Sequence, residues 1–403
     1  MRAGVTEIME TGHITLAESL CRIWCSDPGN KVYLFTIETH SSELSFLCST
    51  FQNLILVVKP KEQKVEDFLN DIGNYSLDRL YLVTLTKHFR IISEWQLKTR
   101  LFLVIHNTDE WFGNSFFKSI KKFSYSISKN LHFNLWIYFF KVNFIFPGYK
   151  KKILEKVQKS NGRLVVLSRS VQQAMNMLKI QIPSEVVPFS VFDSSLVTSH
   201  SSQTSRLRIC VPGILSQYRR NYLAFLETVE VQLPELKDQF IIDFLGGVRH
   251  ENPLDNHALI LGKIDALKSK GFSIIVHLVQ YIPPGEYNLE LSKADIIAGN
   301  MNVTLNKYSI YGKTKETGIP FAMIKAAKPG ILPDTYPVPE ELLTSTLVYH
   351  NFHDLGKILA SLISDRRIIE DLKIKALENS GKFSPELVYN QLLEEVSLQR
   401  AQH

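Results

Sequence analysis

The residues best suited to chemistry in this chain gather around residues 313–318. Lys313 and Lys315 lie in a polar loop, Glu316 follows, and Thr317-Gly318 opens a helical pattern that runs to residue 327. A helix start carries partial positive charge and unpaired N–H groups, so a loop that adds two ammonium groups to it suits an anion. A nucleoside diphosphate is the expected occupant. The plainer alternative is a strand-to-helix connection with a solvated lysine pair.

Three further groups of residues extend this expectation. Arg219 and Arg220 follow a Pro-Gly break and could neutralise a phosphate. His13 follows Gly12 after the first strand, and His106 and Asp109 follow a later one. Imidazoles titrate near neutrality and suit proton transfer. His13 is therefore a candidate base, His106 a sugar-binding group, and Asp109 a base or a partner that orients His13. Each histidine also has a purely structural reading. No pair of carboxylates stands at a strand end with metal-ligand spacing, so no metal and no bound cofactor are expected. The four cysteines, Cys21, Cys25, Cys48 and Cys210, show neither metal nor disulfide-framework spacing and suit a reducing cytoplasm.

The elements that must position these residues follow from hydrophobic pattern. At 403 residues two domains are expected. Apolar runs at residues 5–9, 31–37, 53–58, 80–85, 101–105 and 164–167 are near-continuous and separated by helical patterns. That is the mark of a parallel sheet covered on both faces. The expected fold is α/β, with two doubly wound Rossmann-like domains facing a cleft. Residues 1–188 form the first domain and 189–206, rich in serine, a linker. Residues 207–380 form a second domain, and 381–403 a C-terminal helix returning to the first. Such sheets bind ligands where the strands end, at the carboxyl edge. Gly246, at the close of an apolar run, joins the candidate anion-binding residues on that ground. The first nine residues are too polar and too short for a signal peptide, and no apolar run spans a membrane.

Net charge is +6, and its distribution is uneven. No Asp or Glu occurs between Trp111 and Leu154, whereas Lys118, Lys121 and Lys122 accompany Phe116 and Phe117 in a helical pattern over residues 112–129. A basic amphipathic face with aromatics suits an anionic membrane surface, each lysine contributing about 1 kcal/mol. The alternative is a core strand within residues 135–146 with a solvated lysine face. No nucleic-acid motif is present, and nucleic acid is not an expected partner.

Four segments together resemble one family. They are Val211-Pro-Gly-Ile-Leu-Ser-Gln-Tyr-Arg-Arg-Asn-Tyr222, Phe244-Leu-Gly-Gly247, Tyr311-Gly-Lys-Thr-Lys-Glu-Thr-Gly-Ile-Pro320 and Ala327-Lys-Pro-Gly-Ile-Leu332. They resemble the donor-binding half of GT-B glycosyltransferases, nearest the bacterial family-four-like enzymes of surface polysaccharide synthesis. The resemblance implies metal-independent transfer of a sugar from a nucleoside-diphosphate sugar to a lipid-linked or polysaccharide acceptor. It implies a cytoplasmic protein held peripherally at the inner face of the membrane. It also implies donor contacts by Gly12, Arg219, Arg220, Gly246, Lys313, Lys315, Glu316, Thr317 and Gly318. The two glutamates of that family fall here at Thr314 and Ala322, with Glu316 offset. That departure keeps a GT-B-shaped sugar-nucleotide epimerase and a non-catalytic binding subunit open.

Overall fold

The computed structural model describes residues 1–9, 13–113, 141–197, 206–248 and 255–400. The chain forms two compact units. The first comprises Met1–Val187, Lys313–Glu316 and Tyr389–His403; the second comprises Pro188–Gly312 and Thr317–Val388.

The first unit is built on seven strands: β1 (Arg2–Glu7), β2 (Lys31–Ile37), β3 (Leu54–Lys59), β4 (Arg79–Leu82), β5 (Arg100–Val104), β6 (Arg163–Val166) and β7 (Ser184–Val186). Their order is β3-β2-β1-β4-β5-β6-β7, and every pairing is parallel. The sheet therefore reverses its winding between β1 and β4, where Val5 lies in register with Tyr81. Ala3 to Glu7 are all buried, as are Val32 to Thr36. Apolar residues on both faces explain the unbroken runs in the sequence. Helices Ile14–Cys25, Val65–Ile72 and Phe146–Lys159 cover the faces. One core joins Phe35, Phe68, Leu80, Leu101, Leu103, Ile153 and Leu164.

The second unit holds β8 (Leu207–Cys210), β9 (Phe240–Phe244), β10 (Ile274–Val276), β11 (Ile296–Ala298), β14 (Gly330–Pro333) and β15 (Thr346–Tyr349), in the order β10-β9-β8-β11-β14-β15. These pairings are also parallel, and the winding reverses between β8 and β11. A separate hairpin of β12 (Thr304–Asn306) and β13 (Ser309–Ile310) stands in the loop after β11. Helices Tyr222–Gln232, His257–Ser269 and Phe352–Ser364 enclose a core with Phe225, Phe240, Phe244 and Ile264 at its centre.

The two-sheet α/β architecture expected from sequence is what the structure contains, with differences in detail. The helix Pro385–Arg400 turns back onto the first unit, where the Tyr389 ring meets Trp24 edge-on at 5.3 Å and its hydroxyl donates to Asp27 Oδ2 at 2.8 Å. β1 starts three residues before the apolar run at residue 5, because Arg2 and Ala3 pair with Lys31 and Val32 of β2. The core strand weighed within residues 135–146 is absent from its described part, since Lys141–Ile145 is a π-helical turn running into Phe146–Lys159, with Pro147 at its start. Helix Thr108–Phe112 ends where the amphipathic helix of residues 112–129 was expected to begin; the rest of that stretch, with Phe116, Phe117, Lys118, Lys121 and Lys122, lies outside the described residues. Residues 188–197 are anchored rather than linker-like. Phe192 N donates to Phe383 O, Asp193 N donates to Lys325 O, and Phe189 packs on Phe321, all within the second unit.

One glycine limits the first sheet. Gly162 enters β6 so close to β5 that an added Cβ would lie 1.9 Å from the carbonyl oxygen of Leu101. Backbone cannot yield as a side chain does, so Gly162→Ala should lower unfolding free energy by roughly 3 kcal/mol, read as a lower urea midpoint at unchanged slope.

Candidate functional site

Both sheets deliver their connecting loops to the carboxyl edge, and each edge carries buried polar groups at its winding reversal. In the first unit these are Glu7 and Thr84, with the half-buried His13 and His106 beside them. Glu7 ends β1 and is fully buried. Its Oε1 accepts from Met9 N at 3.1 Å and its Oε2 from His13 N at 3.0 Å. The hydroxyl of Thr84, just past β4, donates to the same Oε2 and accepts from His13 N at 3.2 Å. Burial raises the pKa of this carboxyl, while the three donors oppose the rise. The two amides can only donate, so the carboxyl accepts at both of its oxygens, while the Thr84 hydroxyl can donate or accept.

His13 opens helix Ile14–Cys25 by offering its carbonyl to Leu16 N and Ala17 N. Its ring lies on that of His106, with centroids 4.0 Å apart at 31°. His106 follows β5, and its Nε2 sits 2.7 Å from Val83 O. A carbonyl only accepts, so Nε2 carries the proton and Nδ1 presents a lone pair. Burial first, then the neighbouring His13, push the His106 pKa down to about 3. Asp109 lies in the first turn of the short helix Thr108–Phe112.

The segment Lys313–Glu316 belongs to this same edge. Thr314 O accepts from both Thr108 N, at 2.7 Å, and Thr108 Oγ1, at 3.1 Å. Lys315 forms an antiparallel bridge with Asn107, the residue after His106. The Glu316 carboxylate accepts from the hydroxyls of Ser168 and Ser170, at the start of helix Arg169–Asn176. Thr314, Lys315 and Glu316 are thus tied to the segments that follow β5 and β6, while Lys313 is exposed.

In the second unit the loop after β8 is locked to the loop after β11. Asn221 N donates to Asn300 O at 2.8 Å, Arg220 bridges to Met301, and Asn302 N donates to Arg219 O at 3.0 Å. The Asn302 side chain adds bonds to the carbonyls of Gln217 and Tyr218. Arg219 is exposed, whereas Arg220 is 8% exposed and its Nη1 finds no partner among the described residues. Neither amide atom of the fully buried Asn300 finds one. An unmet buried donor or acceptor costs about 1–3 kcal/mol. Such groups are rare enough to call for a reason. Gly213, at φ +109°, lies flat on the guanidinium, where an added Cβ would sit 2.2 Å from Nη2. Gly246 touches the same loop, its would-be Cβ 2.0 Å from Gly213 O. Tyr222 donates to the carbonyls of Gly213 and Ile214, and burial pushes its pKa up to about 12, so the donor persists.

Helix Gly318–Ala326 begins nearby, since the space beside Gly299 reaches Ile319 Cδ1. Thr317 precedes it in extended conformation without capping it through its side chain, and no acid stands in its first turn. Gly318 is exposed, and an added Cβ there would meet nothing within 4 Å. Gln217, Tyr218, Met301, Asn302, Thr304 and Thr335 help line a cavity of about 610 Å³ beside this loop pair.

The predicted residues therefore fall in two sets. His13, His106, Lys313, Lys315 and Glu316 lie in the first unit, with Asp109 close by in the chain. Arg219, Arg220, Gly246, Thr317 and Gly318 lie in the second. Gly12 falls outside the described residues. Sequence reasoning missed Glu7, Thr84 and Asn300. Their only signal is position, since each stands at or just past the end of an apolar strand. Among the described residues no group of three or more His, Cys, Asp or Glu could hold a metal ion, and no helix is long and apolar enough to cross a membrane.

No family profile matches this chain, and no curated protein matches it by sequence. Solved structures do match. Anabaena HepE, in complex with UDP-glucose, superposes with a TM-score of 0.59 at 12% identity, covering 98% of this chain and 99% of that one. A glycosyltransferase of Rickettsia africae gives 0.58 at 13% identity, covering 98% and 97%. A putative UDP-N-acetylglucosamine 2-epimerase of Listeria monocytogenes gives 0.52 at 13% identity, covering all of this chain and 97% of that one. The chain thus has the two-Rossmann fold of GT-B type.

The depressed pKa of His106 has a thermodynamic consequence. The folded ring stays neutral while the unfolded ring takes up a proton below its ordinary 6.5, so this contribution is present above that pH and is lost toward about 3. Replacing His106 by Gln should flatten the acid-side fall in stability by about 1 kcal/mol per pH unit across that window, measured by urea titration at successive pH values.

Proposed function

We propose that this protein transfers a sugar from a nucleoside-diphosphate sugar to an acceptor hydroxyl. The observation that carries this reading is the buried Arg220, with an unmet N–H, beside Asn300, with both amide atoms unmet. Both stand where β8 and β11 end, on a fold of GT-B type, and the uncapped helix start at Gly318 lies close by. A guanidinium suits phosphate oxygens, and free amides at a helix start add to its pull. In the transfer step the acceptor oxygen bonds to the anomeric carbon as the bond from that carbon to the phosphate oxygen breaks. The electron pair leaves with the diphosphate, where Arg220 and the amides at Gly318 stabilise it. The acceptor proton passes to the His13 imidazole.

A second reading has one observation in its favour. A putative UDP-N-acetylglucosamine 2-epimerase shares the fold, and that chemistry needs the same donor site without an acceptor. Release of nucleoside diphosphate only when acceptor is present supports transfer, whereas turnover of the sugar nucleotide alone supports epimerisation. Donor binding without any turnover points to a binding subunit.

Arg220→Gln should weaken UDP binding about tenfold or more by calorimetry, the cost of one charge-assisted contact. Lys270→Ala, which removes only a surface pairing with Glu230, should leave it unchanged. Equal effects would count against the pocket. The acceptor we favour is lipid-linked or polysaccharide, met at the inner face of the membrane. Reversing Lys118, Lys121 and Lys122 to Glu should release the protein from anionic vesicles in a sedimentation assay.

A further inference from the structure

We propose that Glu7 is a positioning residue: by gripping the His13 amide and the Thr84 hydroxyl together, it holds the His13 ring against a neutral His106 and makes His13 the proton acceptor. The proposal rests on the sugar-transfer reading. It goes beyond that reading by deciding between the two histidines and by giving work to two residues that touch no substrate.

The argument starts from the loop that leaves β1. Four groups from different parts of the first unit fix its two described ends. Glu7 accepts from Met9 N and His13 N. Thr84, arriving from β4, bonds both to Glu7 and to the His13 amide. His40, buried on the neighbouring helix Glu38–Leu44, donates Nε2 to Met9 O at 2.8 Å. The Thr36 hydroxyl of β2 bonds the carbonyl of Glu7 itself. A buried carboxylate is costly unless its oxygens are met, and here both are met by groups whose only shared product is the placement of residues 9 and 13.

The ring pair then sets the division of labour. His106 Nε2 is committed to Val83 O, so its remaining nitrogen is a bare acceptor on a neutral ring. Protonating it would place a cation on a ring stacked against His13 at 4.0 Å, in a site whose burial disfavours the charge. The low pKa of His106 agrees with this. A group that cannot hold a proton cannot be the general base, but it can accept a hydrogen bond from a sugar hydroxyl. The proton must go to the other ring. Among the described residues, Glu7 reaches this loop through the His13 amide and His40 through the Met9 carbonyl.

The test separates positioning from mere folding. With UDP-glucose as donor, Glu7→Gln replaces one accepting oxygen by a donor that opposes an N–H. It should cut kcat about a hundredfold, as a displaced base does, with donor KM within about twofold. Thr84→Val should act in the same direction and Thr84→Ser should restore wild-type kcat. A Glu7→Gln protein that keeps full kcat overturns the proposal, as does a failure of Thr84→Ser to restore it. If Glu7→Gln does not fold, the Thr84 pair decides alone.

A second readout is independent of turnover. In protein labelled with ¹⁵N-histidine, His106 should show one neutral tautomer, protonated at Nε2, from roughly pH 5 to 8. Thr84→Val should move the ring signals of His13 while His106 keeps its tautomer. Titration of His106 in that range, or unmoved His13 signals, would overturn the assignment. Absence of turnover from the wild-type protein with ordered histidine signals would instead remove the sugar-transfer reading and leave the placement of His13 standing.

Discussion

A parallel sheet sends every loop that follows a strand to the same edge, and this constraint organises both halves of the chain. Where the winding reverses, adjacent loops part and leave room between them. In one unit that place falls between β1 and β4, and the residues found there are Glu7, His13 and Thr84, with His106 one strand further on. In the other it falls between β8 and β11, and Arg220 and Asn300 occupy it. Buried polar residues also occur elsewhere in both units, some of them ion-paired, as Arg208 is with Asp243. Asn300 is set apart by having neither side-chain polar atom met among the described residues.

The energetic logic differs between the two edges. On the first, every buried polar atom of Glu7 is met, and rigidity is what the bonds produce. On the second, Arg220 and Asn300 keep unmet atoms at a cost to stability. A folded chain tolerates such a cost where charge must be recognised rather than where shape must be held. Gly213 and Gly246 serve the same end, since only the absence of a Cβ lets two loops close over the guanidinium.

Much of this was legible in the sequence. Unbroken apolar runs announced two parallel sheets, and strand ends pointed to His13, His106 and Arg220. The small hairpin of β12 and β13 was not legible, because a polar, asparagine-rich stretch reads as loop until its partner strand is known. Helix Pro284–Ser292 was missed although a proline at its start marks it, since its outward face is too mixed to show a period. Glu7 was missed for a deeper reason. A single acid closing an apolar strand looks like a boundary, and only the fold brings Thr84, seventy-seven residues away, to its carboxylate. The bonds of the basic loop to Asn107, Thr108 and Ser168 connect residues too distant in the chain for any local pattern to show.

The stitching of Lys313–Glu316 and Tyr389–His403 into the first unit means that neither half is a continuous length of polypeptide. A fragment stopping at Val187 would bare the amide of Thr108, the edge beside Asn107 and the Trp24 and Asp27 surface that Tyr389 covers. Ribosomal synthesis meets the same difficulty: the leading half cannot finish its own architecture until residues 313–316 and the helix from Tyr389 have also been made. Its maturation therefore waits on segments made more than a hundred residues after its last strand, whatever the order in which its strands first pair.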